Sequence, residues 1–348
     1  MNDLAKRKKV AVGLSGGVDS SVSAYLLQQQ GYEVTAVFMK CWDMKLDGCA
    51  ADEDKMYAVQ SAAKLGIKIE VLDFVKEYNE KVISYFYSEY SAGRTPNPDV
   101  MCNKEIKFGI FLKWAMDNGF DYIVTGHYAR VKEENGTYSL LKGVDASKDQ
   151  SYFLYNLDQA SLSKVLFPIG DMKKKQVREI ATEIGLPTAA RPDSTGICFI
   201  GEVNIKEFLK QRVEGKSGNV LLSSGEVIGT HEGIWFYTIG QRHGFTVSKY
   251  QGKPLYIIDK NVEKNELIVG EEKDCYIKEF ELESVHWVGN AKQGDFSCDV
   301  RVRHLGQMND ANVSLPKVVL DKPAFGIASG QSAVFYEGDV LLGGGIIK

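Results

Sequence analysis

Over roughly its first two-thirds the chain repeats one rhythm: apolar residues at helical spacing, then a glycine, then a β-branched or aromatic run. Gly31 precedes YEVTAVFM, Gly66 precedes IKIEVLDF, and Gly119 precedes FDYIVTG. A glycine just past a helix end takes the left-handed conformation at low cost and turns the chain into the next strand. Strands alternating with helices predict a parallel sheet covered on both faces, an α/β fold. In GRTPNPDVMCNKEIKFGIFLKWAMDNG two prolines mark a loop, and the pattern predicts a helix starting near Met101 to Lys104. A hairpin-like pair follows TGHYAR, and KKKQVREIATEIG reads as a helix ending at Gly185 and Pro187.

Past about residue 205 the helical period gives way to short strands separated by turn formers, as in all-β modules. The expected organisation is an α/β parallel-sheet domain over residues 1–205, a small mostly β domain over 206–272, and a β-barrel-like domain over 273–348. Three domains suit 348 residues on a prior of roughly 100–200 residues each. With 44% hydrophobic and 25% charged residues, the chain is neither disordered nor fibrous in type. No apolar run reaches the roughly 18 residues of a membrane span, and no hydrophobic leader follows MNDLAKRKKV, so a cytoplasmic protein without a membrane partner is expected. A formal net charge of −4 argues against nonspecific DNA binding and leaves room for placed contacts to a folded RNA.

The strand-like KVAVGL runs into SGGVDSS and then into the helical SVSAYLLQQQ, the place where parallel sheets bind ligands. Gly13, Ser15, Gly16 and Gly17 allow a tight turn with inward N–H groups; Ser20 and Ser21 add hydroxyls, and Asp19 suits a magnesium ion on phosphate oxygens. The lysine of GxxxxGK followed by Ser or Thr is missing, and so is GxGxxG. Six cysteines stand far apart with no CxxC, which fits neither a zinc knuckle nor a disulfide framework. Cys102 follows a proline-constrained loop, with Lys104 and Lys107 close by, and Cys198 lies among turn formers beside Arg191, settings that favour reactive thiols. Cys41, Cys49, Cys275 and Cys298 read as buried apolar thiols. Asp99 in NPDV is either a turn former or a proton-transfer group, and His127 either serves a nucleotide or packs at a strand end. Lys173, Lys174, Lys175 and Arg178 form either a phosphate contact or a solvated helix face.

SGGVDSS resembles the PP-loop of the ATP pyrophosphatases, which split ATP between the α and β phosphates and adenylate their substrate. The loop is shared by several synthetases and does not choose the substrate. Together with TPNPDVMCNKEIKF, TGHYAR, KDQSYFLY, GLPTAARPDSTGICFIG and YTIGQRHG, it is similar to the bacterial tRNA-specific 2-thiouridylases, over nearly the whole chain. That resemblance implies sulfur insertion at the 2-position of the wobble uridine of tRNAs for Lys, Glu and Gln, and a PP-loop fold for the first domain. It implies ATP held by Gly13, Leu14, Ser15, Gly16, Gly17, Val18, Asp19, Ser20, Met39 and Gly126, with Mg2+ as companion and no resident metal centre. Asn97, Pro98 and Asp99 would meet the target base, and Lys148, Asp149, Gln150, Arg303 and His304 would touch tRNA. Cys198 would carry a persulfide received from a sulfur-donor protein. Cys102 would close a disulfide with Cys198, with Asp99 beside it for proton transfer. A monomer is expected. The alternatives are another adenylating enzyme of the same loop family, or an RNA-binding protein without catalysis.

Overall fold

The computed structural model describes residues 7–43, 51–193, 196–201 and 204–348. Cys49, expected as a buried thiol, lies outside the described residues. Seven strands form from the first part of the chain: β1 (Lys9–Gly13), β2 (Glu33–Lys40), β3 (Lys68–Asp73), β4 (Tyr122–Val124), β5 (Ala129–Glu134), β6 (Thr137–Lys142) and β7 (Val165–Leu166). Five of them make a parallel sheet in the order β3-β2-β1-β4-β7. Val10, Ala11 and Val12 of the central strand are all fully buried, which is why β1 reads as a continuous apolar run without alternation. Gly31, Gly66 and Gly119 all carry positive φ at helix ends, as the recurring pattern requires.

The later strands are β8 (Gly218–Leu222), β9 (Val227–His231), β10 (Thr246–Val247), β11 (Tyr256–Asn261) and β12 (Glu266–Gly270), in one sheet ordered β10-β9-β8-β12-β11. Then come β13 (Tyr276–Trp287), β14 (Phe296–Arg301), β15 (Asn309–Ser314), β16 (Lys317–Phe325), β17 (Ser332–Glu337) and β18 (Val340–Ile347). These six strands close into an antiparallel barrel, because β13 pairs with β16 at one end and with β18 at the other. Register shifts at Ile277/Glu279 and Leu282/Ser284 bend that long strand enough to serve both neighbours. Phe280, Val300, Val313, Val318, Leu320 and Phe335 fill the interior, while the intervening residues of β15 face out.

Two connections bind the parts into one molecule. Phe208 packs its ring against Trp42, Phe86 and Tyr87, so the first sheet and the middle module share a core. The hairpin of β5 and β6 belongs to the barrel: Leu141 pairs with Val340 and Leu140 with Leu341. The alternation of those strands is legible in sequence, but their partner is two hundred residues away.

Behind the hairpin Asp149 is buried, and its carboxylate accepts from Arg301 Nη1 at 2.7 Å and from the backbone N–H groups of Gly143 and Ser151 at 3.0 and 3.1 Å. The tRNA contact implied for Asp149 is not what its side chain does here; it fastens the 143–151 segment to the barrel strand β14. Removing one member of a buried pair leaves an uncompensated charge, at a cost of about 3–5 kcal/mol. Arg301→Met is therefore expected to lower the denaturation midpoint strongly, and Arg301→Met with Asp149→Asn to recover part of the loss, as read by urea unfolding followed by fluorescence. Equal midpoints for the single and double variants would show that the pair is not what fastens the segment.

Candidate active site

The Gly/Ser loop leaves β1 at Gly13 and enters the helix Val18–Gln29. Ser20 Oγ accepts from the Ser15 N–H and donates to the Gly17 carbonyl, both at 3.2 Å, and the Ser21 hydroxyl donates to the same carbonyl at 2.9 Å. These bonds hold the turn so that the first helical N–H groups stay open to an anion. Gly16 has φ +79°, and a Cβ there would lie 2.2 Å from the Asp54 carbonyl oxygen, so only glycine fits. At Gly126 a Cβ would come 2.7 Å from the Ser20 nitrogen, which places the end of β4 against the loop. Met39, at the end of β2, flanks Gly13. Arg191 donates to the Gly16 carbonyl at 2.8 Å, pairs with Asp54 at 2.6 Å and stacks on Tyr57. It braces the loop and is not the neighbour of Cys198 that its place in sequence suggests.

Asp19 is not an open carboxylate. It accepts from Lys174 Nζ at 2.7 and 2.8 Å and from the Tyr128 hydroxyl at 2.8 Å. Lys174 starts the helix Lys174–Glu183 and also meets Asp193 at 2.9 Å, where Lys148 and Arg178 converge at 2.6 and 2.5 Å. Burial alone would raise the Asp193 carboxyl, but hydrogen bonds from Lys148 and Lys174 outweigh it and hold the group well below the usual range. The basic run at 173–178 is thus divided: Lys174 and Arg178 turn inward, and Lys175 is solvated beside Glu179.

The helix carrying Cys102 begins at Pro98, three residues before the expected start, because Asn97 Oδ1 caps it by accepting from the Val100 N–H at 3.3 Å. Pro at the first helical position is as favourable here as in the loop the sequence suggested. Cys102 therefore sits at the end of the first turn, fully buried, and the chain continues as a π-helix over Asn103–Phe111. That wide turn brings Lys107 to the thiol, whereas Lys104 points to solvent.

Cys198 and Cys102, both free thiols, lie close enough for each to shift the other, and Lys107 acts on both. The Cys198 carbonyl accepts from the Tyr78 hydroxyl at 2.6 Å, and its N–H donates to Asp99 Oδ1 at 3.0 Å. Phe199 adopts φ +67°, a strained value for a bulky residue, held by the edge of Tyr78 and by Lys107 over its ring. The hydrogen bond from Cys102 lowers the Cys198 thiol most, burial opposes it, and the Lys107 ammonium helps bring it down to about 7. Burial, then the bond to Cys198, push Cys102 well above the usual thiol range. The sequence suggested a low value for both; the structure lowers only Cys198 and raises Cys102, because the two thiols share one nearby ammonium and the deeper one is the more desolvated.

Asp99 is held above the usual carboxyl range by burial, opposed by the Cys198 N–H and by Lys107. His127 packs between Phe108 and Phe167 and shares a 2.7 Å hydrogen bond with Thr125, its ring kept neutral by burial. It is a core residue. Cys41 and Cys275 are buried as expected, Cys298 only half so. Cys41 follows β2, two residues beyond Met39, close enough to the thiol pair for Cys198 to raise it further above a value already raised by burial. Asn97, implied to meet the base, is buried and committed to its cap; Pro98 and Asp99 are half-buried. Gln150 accepts from the Tyr128 N–H at 3.0 Å. Arg303 is exposed, and His304 rests on Phe153 with ring centroids 4.3 Å apart, its pKa brought down to about 4 by burial. The barrel and the 148–153 segment thereby meet next to the 95–102 loop, which Gln331 holds through the Thr95 and Pro96 carbonyls.

Three family models match the chain: the tRNA methyl transferase HUP domain over residues 8–202, the tRNA methyl transferase PRC-barrel domain over 206–271, and the aminomethyltransferase beta-barrel domain over 277–347. The tRNA-specific 2-thiouridylase MnmA of Bacillus mycoides is 47% identical over 100% of this chain and 96% of its own length. That of Bacillus cytotoxicus is 46% identical over the same shares. The chain belongs to the tRNA-specific 2-thiouridylase family. Among solved structures, the U34-tRNA thiolase NcsA from Methanococcus maripaludis aligns over 57% of this chain and 63% of its own, with 19% identity and a TM-score of 0.37.

Within this family member, sequence reasoning missed Asp193 and Tyr78 as neighbours of the site, and it named Lys174 only as one of four basic residues that either contact phosphate or face solvent. Only the charge of the 173–178 run was visible, not its direction. The thiol geometry predicts that alkylation of Cys198 by iodoacetamide, followed by peptide mass spectrometry, rises with pH through a midpoint of about 7. Lys107→Met is expected to move that midpoint upward by roughly one unit or more. A wild-type midpoint in the ordinary range near 8.5 would rule out the lowering of Cys198.

Proposed function

We propose that the protein thiolates the 2-position of the wobble uridine in tRNAs of the Lys, Glu and Gln type, using ATP to activate the carbonyl and a Cys198 persulfide to supply sulfur. The observation that carries this reading is the closeness of Cys198 to Cys102 at the carboxyl edge of a sheet whose first loop is built for an anion. The family descriptions include methyl transfer. Two adjacent thiols beside a buried ammonium favour sulfur chemistry instead.

A uridine carbonyl oxygen is a poor leaving group. Its attack on the α-phosphorus of ATP forms an O–P bond, breaks the bond to the β-phosphate oxygen and leaves pyrophosphate in the loop. The oxygen then departs as part of AMP when sulfur attacks C2. A chain that keeps pyrophosphate and passes on AMP has no γ-phosphoryl to transfer, so its loop needs backbone and hydroxyl donors first. Magnesium fits this arrangement only as a companion of ATP. Asp19 would join phosphate oxygens as a donor to Mg2+ only once Lys174 releases one of its carboxylate oxygens. When bound, Mg2+ would neutralise phosphate charge.

Cys198 is half-buried and Cys102 fully buried, so an external sulfur donor meets Cys198 first. The Cys102 thiolate attacks the inner sulfur of the persulfide, the S–S bond breaks, hydrosulfide leaves toward C2, and a Cys102–Cys198 disulfide remains. If the persulfide attacks C2 directly, Cys102 then cleaves the adduct to the same disulfide. Either route needs a dithiol reductant to restore the pair, which places the reaction in a reducing compartment such as the cytoplasm. In this reading Asp99, on the helix turn of Cys102 and hydrogen-bonded to the Cys198 backbone, takes the Cys102 proton; that it shares the turn with Cys102 and binds the Cys198 N–H supports the role.

Incubation with ATP, magnesium, a sulfur donor and unmodified tRNA is expected to give AMP, pyrophosphate and 2-thiouridine. Cys198→Ser should take up no persulfide sulfur; Cys102→Ser should take it up and fail to turn over. Asp99→Asn keeps an acceptor for the Cys198 N–H and loses the base, so thiolation should fall about 10²- to 10⁴-fold. AMP formation without a thiolated nucleoside would point to a different adenylated substrate, and wild-type turnover in Cys102→Ser would remove Cys102 from the mechanism.

A further inference from the structure

The nucleotide loop has no lysine of its own, yet an ammonium stands beside it. Lys174 Nζ hydrogen-bonds both carboxylate oxygens of Asp19 and pairs with one of Asp193 at 2.9 Å. Its side chain is 12% exposed, next to the Tyr128 ring, while the neighbouring Lys175 is 87% exposed. The inward turn is specific to Lys174.

Fastening of the 191–193 segment does not account for it. Arg178 already binds that segment through the Ala189 and Arg191 carbonyls, each at 2.9 Å, and through Asp193, and Lys148 adds a second cation to Asp193. Lys174 is redundant there. What it alone supplies among these cations is the two-pronged contact to Asp19, in the first turn of the helix that follows the loop. An anion bound to the loop N–H groups lies beside that carboxylate and is repelled by it. A lysine is a flexible point charge suited to phosphate, and the Tyr128 hydroxyl still serves Asp19 once the ammonium has moved.

We propose that Lys174 is the polyphosphate-binding lysine of this loop, supplied from a helix 155 positions away in the chain and parked between Asp19 and Asp193 until a nucleoside triphosphate arrives. On binding, the ammonium exchanges a carboxylate oxygen for an oxygen of the β or γ phosphate, the part that leaves as pyrophosphate. The assignment rests on the reading that the loop binds ATP.

Calorimetric titration of the full-length protein with ATP, inorganic pyrophosphate and AMP separates the possibilities. Lys174→Met is expected to weaken ATP and pyrophosphate about 10- to 100-fold and to leave AMP within about twofold. Lys174→Arg should restore most of the affinity, and Lys175→Ala should bind all three as wild type. Lys174→Gln retains N–H donors for the carboxylates and loses the charge. It is expected to behave as Lys174→Met does, and it covers the case in which that variant fails to fold. Wild-type affinity for ATP and pyrophosphate in a folded Lys174→Met or Lys174→Gln, or an equal loss for AMP, would overturn the assignment and leave Lys174 a structural latch. Failure of the wild-type protein to bind either ATP or pyrophosphate would overturn the reading of the loop and the assignment with it.

Discussion

One ammonium governs the sulfur centre. Lys107, carried to the site by the π-turn after Cys102, faces Cys198, Cys102 and Asp99, and those groups raise its own pKa although burial alone would lower it. A buried and a half-buried thiol beside a single cation compete for its stabilisation. The more accessible Cys198 is thereby lowered and the deeper Cys102 raised, so the two thiols differ in how readily they ionise. Without Lys107 neither would ionise readily in so apolar a setting, because Tyr78, Ile106 and Phe108 surround the pair with core.

The second requirement is that three distant segments stay aligned at the carboxyl edge of one parallel sheet. Asp99 and Tyr78 both grip the Cys198 backbone, and Arg191, seven residues earlier in the chain, ties its own segment to Gly16. Cys198 is therefore fixed to the helix of Cys102, and the segment of Arg191 to the nucleotide loop. The strained Phe199 backbone is tolerated because these contacts over-determine it.

The barrel contributes position more than charge. It closes on itself through β13, takes in the β5–β6 hairpin, and meets the first domain through the buried Asp149–Arg301 pair and the Gln331 contacts to the 95–96 backbone. His304 then rests on Phe153 of the segment that begins at Lys148. The acidic overall balance does not describe this region, where Lys148 and Arg178 converge on Asp193 and Arg303 is exposed.

The alternation of helical and β-branched runs, the helix-end glycines and the Gly/Ser loop are local properties of consecutive residues, so the parallel sheet, the loop at its edge and the all-β remainder were legible from sequence alone. The prominence of Cys102 and Cys198 was legible too, from their neighbours in the chain and from family resemblance. Which thiol is lowered was not, because the deciding cation and the opposing burial come from residues arranged in space. The inward turn of Lys174 to Asp19, the burial of Asp149 against Arg301 and the hairpin's loyalty to the barrel have the same cause. Each joins residues more than a hundred positions apart, and side-chain direction and burial are fixed only when the segments pack.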